Sequence, residues 1–417
     1  MFQLQPPGCF PLCADPTFQA DAARDLTYVS DSVRDAMKEF PLVGMILTGS
    51  VARGEGTLIA DSAGGTRWLG NIECLLLTQD RKTAIKRIDS ELCRVRNALN
   101  FELRKQGRGL EVGLTCMPAQ QLSRLRPSIF NRELLEHGKL LWGQPSALPL
   151  PSWWRNGQRD IPQEDGLRLL NNRIIEQLTA RAKHDISHQT VTAAEYAIGK
   201  FWIELATSLS VFLGCYRSTY RERQAEIESL FGSRPHLFDS PFQTLLIDRL
   251  RQAMALKLGQ TPPTGESVDE RFDEVARAAC RIWFWATGRM LGAETHQSDW
   301  HLVPERLRRI ETFGQRARDW TRLMLRGVRR GETAKGIKSL LKAALRAGSL
   351  ANAIYASGCL LEFFWHEISL ESPPGPEITR TVSNFLGTAA SSQKLQRLEL
   401  ARASEEAWNR HLRFASL

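Results

Sequence analysis

No stretch of this 417-residue chain is apolar for long enough to cross a bilayer. The longest candidate, "FWIELATSLSVFLGCY" (Phe201–Tyr216), is interrupted by Glu204 and falls short of the roughly 18–20 apolar residues that a span needs, so it predicts a buried helix. The N-terminus, "MFQLQPPGCFPLC", has no basic segment followed by an uninterrupted apolar one, and a secretory signal is not expected. Cysteine is scarce and scattered: of eight, the nearest pair, Cys9 and Cys13, has neither CxxC spacing nor a second half-site. That excludes a disulfide framework and predicts free thiols in a cytoplasmic protein. A repeat of fixed period is also missing, which argues against a solenoid.

What is present is the composition of a soluble globular chain, 42% hydrophobic and 24% charged, long enough for two or three domains with ample cores. The formal charge is +9, and its placement is uneven. Between His301 and Leu350 stand thirteen Lys/Arg against four acids, an excess equal to that of the whole chain. Everything outside that stretch is neutral on balance.

Residues 1–28 read as an irregular lead-in containing several prolines. From Ser30, "SDSVRDAMKEF" predicts a short capped helix, because Ser30 or Asp31 can accept hydrogen bonds from the free N–H groups of a first turn. Three short apolar runs follow, Leu42–Thr48, Asn71–Thr78 and Leu110–Met117, whose length and glycine-containing flanks predict strands. Between the second and third, Ile85, Ile88, Leu92, Val95 and Leu99 recur at helical spacing up to a stop at Gly107. A further helix, "SIFNRELLEHG", leads into "KLLWG" (Lys139–Gly143), and "PSALPLPSWWRNG" marks a boundary near 145–160. Beyond Asp165 the pattern is helical almost throughout, with helices expected at 191–215, 266–293, 305–327, 333–370 and 391–414. The fold class expected is therefore an α+β domain with a small mixed sheet over 29–150. A large all-α region follows, in two parts, 160–295 and a basic 300–417.

The stretch "LTGSVARGEGT" carries the chemistry. Gly49 and Ser50, at the end of a strand, offer unobstructed backbone N–H groups and a hydroxyl to a phosphate. On the second run Asn71 and Glu73, at i and i+2, share one face about 7 Å apart along the strand. Glu111 on the third run adds another acid. Close-set oxygen ligands of this kind are what Mg²⁺ needs to align a nucleophile and a leaving group.

In this order, Gly-Ser, then an acid-x-acid strand, then a third acidic strand, the residues resemble the nucleotidyltransferase superfamily. More narrowly, "LTGSVARGEGT", the long insert before the second strand, "NRELLEHGKLLWG", "LRLLNNRIIEQL" and "YAIGKFWIELATSLSVFLGCYRSTYRER" resemble bacterial nucleotidyltransferase-domain proteins with a helical C-terminal extension, over about residues 40–223. The resemblance implies a nucleotidyltransferase-like domain that binds a nucleoside triphosphate through Gly49, Ser50 and Arg53. It implies Mg²⁺ or Mn²⁺ at Asn71, Glu73 and Glu111, and catalytic roles for Glu73 and Glu111 in transferring a nucleoside monophosphate to an acceptor it does not name. Active members carry Asp-x-Asp where this chain has Asn71 and Glu73. Asparagine brings no negative charge, and Glu73 and Glu111 are each a methylene longer than the usual aspartate. A catalytically inactive nucleotide sensor or assembly partner therefore stands beside the transferase as a second expectation.

Other constellations compete less strongly. Arg53 and Glu55 read equally as a surface ion pair or as a phosphate contact, and Asp61 in the insert reads as a solvated loop residue ahead of a substitute metal ligand. His184 and His188 in "HDISH" have a spacing that can bind zinc, without a third ligand in view. The aromatic cluster Arg281–Met290 reads as core, and "YRSTYRER" either as charge for a triphosphate or as a solvated helix start. Arg318, Arg322, Arg326 and Arg330 recur every four residues and would line one helix face, so nucleic-acid binding through Arg306–Arg346 is a third expectation.

Overall fold

The computed structural model describes residues 4–5, 9–13, 15–60, 66–79, 85–144, 148–187, 191–234, 236–259, 267–293, 300–329, 347–369, 374–386 and 393–412. In chain order its elements begin with α1 (Gln19–Ala36), β1 (Leu42–Thr48), α2 (Gly49–Ala52), β2 (Leu58–Ala60), β3 (Thr66–Trp68), β4 (Asn71–Thr78) and α3 (Ile85–Lys105). There follow β5 (Glu111–Pro118), α4 (Ile129–His137), β6 (Lys139–Gly143), α5 (Ser152–Arg155), α6 (Gln163–Ser187), α7 (Val191–Phe212), α8 (Tyr220–Ser233) and α9 (Ser240–Lys257). The remainder is α10 (Val268–Leu291), α11 (Leu302–Ile310), α12 (Phe313–Arg329), α13 (Leu350–Phe363), α14 (Gly375–Leu386) and α15 (Gln393–His411). Among the described residues no strand follows Gly143, and no helix is long and apolar enough to cross a membrane.

The chain divides into two compact units, Met1–Asp165 with Leu213–Pro263, and Gly166–Phe212 with Thr264–Leu417. This differs from the linear division at 150, 160 and 300 that composition suggests. Helices α8 and α9 return to the first unit, and the basic stretch shares a unit with α10. Turn signals along the sequence mark where the chain bends, and they do not tell which core it bends back to.

In the first unit a four-stranded sheet has the order β5-β4-β1-β6. Strand β1 is antiparallel to both β4 and β6, while β4 and β5 are parallel because α3 crosses over between them. Both faces are covered, which is why β1 and β4 read as continuous apolar runs. Met45, Leu47, Ile72, Cys74, Val112 and Leu114 meet Leu26, Val29 and Val33 of α1 and Leu92, Val95 and Leu99 of α3. On the opposite face Ile46, Leu75, Leu77 and Met117 meet Leu134 and Leu135 of α4 and Trp153 of α5. By alternation, Thr48, Asn71, Glu73, Glu111 and Gly113 belong to this second face.

Several features depart from expectation. The helix expected at 305–327 is two, α11 and α12, and α8 and α9 were not among the helices expected. Helix α1 begins at Gln19, well inside the lead-in expected to be irregular: a 3₁₀ turn at Pro16–Phe18, capped by Asp15 accepting from Thr17 N, starts the winding early. The insert also holds a β2–β3 hairpin whose three-residue strands are too short to show a period.

The second unit is tied together by two adjacent asparagines of α6. Asn171 Oδ1 accepts the indole N–H of Trp283 on α10 at 2.9 Å, deep in the core. Asn172 Oδ1 accepts both Tyr355 Oη–H of α13 and Trp408 Nε1–H of α15, each at 2.9 Å. Buried indole and phenol groups need such partners, so one dipeptide fixes three helices around a fourth. Gly358 lets α13 approach α6: a Cβ there would sit 2.6 Å from Ile175 Cγ1.

Candidate functional site

Chain reversal at the end of β1 places Gly49 in the left-handed region, φ +71°, where glycine carries no Cβ penalty. The space above it is filled by Glu73: a Cβ on Gly49 would lie 2.9 Å from Glu73 Oε2. Thr48 pairs with Glu73 across β1 and β4, and Glu73 pairs in turn with Gly113 of β5. A Cβ on Gly113 would be 3.5 Å from Glu73 Cγ. Gly49 therefore makes room for the tip of the longer acid, while a Cβ on Gly113 would only touch its stem at ordinary contact distance. Gly113 stood in the sequence as an unremarked residue of the third strand; only the pairing register gives it meaning.

The structure brings together Gly49, Ser50, Asn71 and Glu73, and it sets Glu111 beside Asn71 in register. Their side chains are differently engaged. Asn71 Nδ2 donates to Glu73 Oε1 at 2.9 Å, so the asparagine acts as a donor to the carboxylate. Glu111 is exposed and takes Arg104 Nη2 of α3 at 2.9 Å. Hard divalent cations favour several anionic oxygens converging on one point. Here one carboxylate faces the turn, its neighbour is a neutral amide bonded to it, and the third acid is paired with an arginine. Among the described residues no group of three His, Cys, Asp or Glu is arranged to hold a metal ion. The donor set does not fit a divalent centre for nucleotide transfer.

Arg53 lies elsewhere. Its side chain is 2% exposed, Nε donates to Glu55 Oε2 at 2.9 Å, and Nη1 pairs with Glu133 of α4. Glu133 Oε1 also accepts Tyr216 Oη–H at 2.5 Å and Arg223 Nη2 of α8 at 2.9 Å. Glu55 completes the knot by accepting the backbone N–H of Tyr220 at 2.8 Å at the start of α8. The Tyr220 ring is flanked by both guanidinium groups, each 4.6 Å from its centroid. Burial alone would push the Glu133 carboxyl up, but Arg53, Arg223 and the Tyr216 hydroxyl outweigh it and hold it below its ordinary range. Two cations and two anions, all desolvated, cancel one another.

Thus "ARGEG", "NRELLEHG" and "YRSTYRER", which the sequence presents as three separate motifs, meet in one ion-pair knot. Arg53 and Arg223 are consumed by it and do not face the Gly49–Ser50 turn with a free charge. Glu133 is the residue that sequence reasoning missed; it lies off the face that Leu134 and Leu135 bury, and nothing local marks it as paired. Nearby, His137 Nε2 shares a hydrogen bond with Ser218 Oγ at 2.7 Å.

The remaining sequence candidates are placed as follows. His184 Nε2 lies 3.7 Å from Asp269, and His188 and Asp61 fall outside the described residues. Trp283 and Phe284 are fully buried core residues. Of the basic stretch, Arg306 is buried against Phe284 and bonds Thr287, while Arg308, Arg309 and Arg318 are exposed. Arg330 and the lysines beyond it lie outside the described residues, as do the side chains of Arg322 and Arg326. Compared with known proteins, the chain matches no family, no curated protein and no solved structure.

Proposed function

We propose that the first unit is a nucleotidyltransferase-like domain in which nucleotide transfer is silent, serving as an assembly partner rather than as an enzyme. The sheet order, with β1 flanked by antiparallel neighbours and ending in Gly49–Ser50 over the face of β4, supports the fold reading. The observation that carries the silence is the state of the three expected ligands. Asn71 brings no charge and donates to Glu73, and Glu111 is exposed at the strand's start beside Arg104, which leaves Glu73 as the carboxylate at the turn. A four-residue α2 brings little helix dipole of its own, and Arg53 is locked away, so a triphosphate would have to be gripped through metal ions that this donor set holds poorly.

Equilibrium binding of the four ribonucleoside triphosphates with Mg²⁺, Mn²⁺ or EDTA tests the proposal. No metal-dependent difference is expected in the native protein. Metal-dependent binding that is lost in Ser50→Trp would overturn it.

Exposed Arg308, Arg309 and Arg318 favour a second reading, in which the basic helices of the other unit bind a nucleic acid. Such binding would fall steeply with salt, because each phosphate contact releases counterions. Filter binding at low and at physiological salt distinguishes it from no interaction at all.

A further inference from the structure

Glu362, near the end of α13, is 1% exposed, and neither of its carboxylate oxygens has a hydrogen-bond partner. An ionised carboxylate so placed is costly, and burial pushes its carboxyl up to about 7, with Arg181 pulling it back and Asp273 adding to the rise. Those two charged groups belong to α6 and α10. Arg181, itself 4% exposed, pairs through Nη2 with Asp273, whose other oxygen takes His366 Nε2 at 2.7 Å. The guanidinium lies over Trp365, 5.1 Å from the ring centroid, and 3.4 Å separates its Nη2 from the His366 ring nitrogen. His366 is exposed, so this cluster runs from a sealed carboxyl to the surface.

Among the described residues, the other elements packed on α13 contribute mostly uncharged or paired groups. Cys359, one turn earlier, and Cys280 on α10 are thiols that burial keeps protonated. From α14 and α15 the buried polar groups are Thr379, Ser383, Ser404 and His411, and the hydroxyls of Ser383 and Ser404 have no hydrogen-bond partner. Arg397 of α15 also stacks on Trp365, at 4.9 Å, and is paired with Asp185. On α11 Arg306 bonds Thr287, and on α12 Asp319 accepts Leu350 N at the opposite end of α13.

We infer that Arg181 is the moving part of a proton-linked switch within the helical unit. With Glu362 neutral, Arg181 holds Asp273; with Glu362 ionised, it turns to Glu362 and releases Asp273 and His366 at the surface. One cation serves two carboxylates, and the more deeply buried one has the greater need of it once charged. Asp273 is better placed to lose the cation, because it keeps His366 and reaches solvent.

Hydrogen exchange of the full chain, corrected for its intrinsic pH dependence, reads the switch between about pH 5 and about pH 9. In the wild type, peptides containing Arg181, Asp273 and His366 should lose protection as pH rises, by about tenfold or more, the change expected of one titrating group shifted by a unit or more. Glu362→Gln should hold the low-pH pattern throughout. Asp273→Asn, which weakens the first partner, should show the high-pH pattern already at low pH. Glu311→Gln, altering a half-buried carboxyl of this unit also pushed up to about 7, should leave the profile of these peptides as in the wild type. A flat wild-type profile, or an unchanged profile in Glu362→Gln, would overturn the inference.

Discussion

Glu133 and Glu111 show how differently two ion-paired glutamates act in one unit. Glu133 is surrounded by Arg53, Arg223 and Tyr216, all buried, whereas Glu111 and Arg104 are both about two-thirds exposed. Removing one side of a desolvated group leaves a buried charge uncompensated, at a cost of about 3–5 kcal/mol, while an exposed pair contributes about 0–1 kcal/mol. Glu133→Gln is accordingly expected to destabilise the first unit by about 3–5 kcal/mol, and Arg104→Ala by under about 1 kcal/mol, in denaturant unfolding. Equal effects would mean that the knot is not desolvated as described. At this scale the sequence was informative about where Gly49 stands, directly after the end of a strand. It offered the Arg53–Glu55 pair, but at the surface; nothing in "ARGEG" tells that the pair is buried or that distant Glu133 joins it.

Elements were legible where their periodicity ran long. Strands β1, β4 and β5 were expected within a residue of their observed bounds, since each is a short, mostly apolar run flanked by turn signals. The early start of α1 and the β2–β3 hairpin were not, because a proline-containing turn and three-residue strands carry no periodic signal. Helix packing was equally hidden: Gly358 reads as an unfavourable residue in mid-helix until Ile175 is found against it. Gly358→Ala should therefore destabilise the helical unit by about 1–3 kcal/mol despite its better helix propensity, as other overpacked sites do. A stabilising effect in thermal unfolding would mean that the α6–α13 contact can spread at no cost. Proton linkage also separates the elements. Glu311 and Glu362 are both pushed up, by burial first, from an ordinary 4.5 to about 7, so the folded helical unit holds protons that the unfolded chain has lost. Its stability should fall as pH rises from 4.5 to about 7 and level off above. Glu133, held low by its cations, gives the first unit the opposite sign: stability present above 4.5 and lost as pH falls below it. Amide exchange followed separately in α4 and α13 across this range would show the two slopes, and parallel slopes would contradict the assignment.

For the molecule as a whole, the chain commits its recognisable motif to one unit and its excess charge to the other. In the first unit Glu73 packs against the Gly49 turn, while Asn71 is bonded to Glu73 and Glu111 to Arg104. The reading that transfer is silent is tested most directly by measuring Mg²⁺-dependent pyrophosphate release from the four ribonucleoside triphosphates. The native protein is compared with the double variant Asn71→Asp, Glu73→Asp, in which Mg²⁺ affinity is followed in parallel by calorimetry. The native protein is expected to release none and to bind Mg²⁺ weakly, while the double variant, with a second carboxylate in place of the amide, gains metal affinity. Metal-dependent pyrophosphate release by the native protein, abolished in Glu73→Ala, would contradict the reading and make the chain an enzyme.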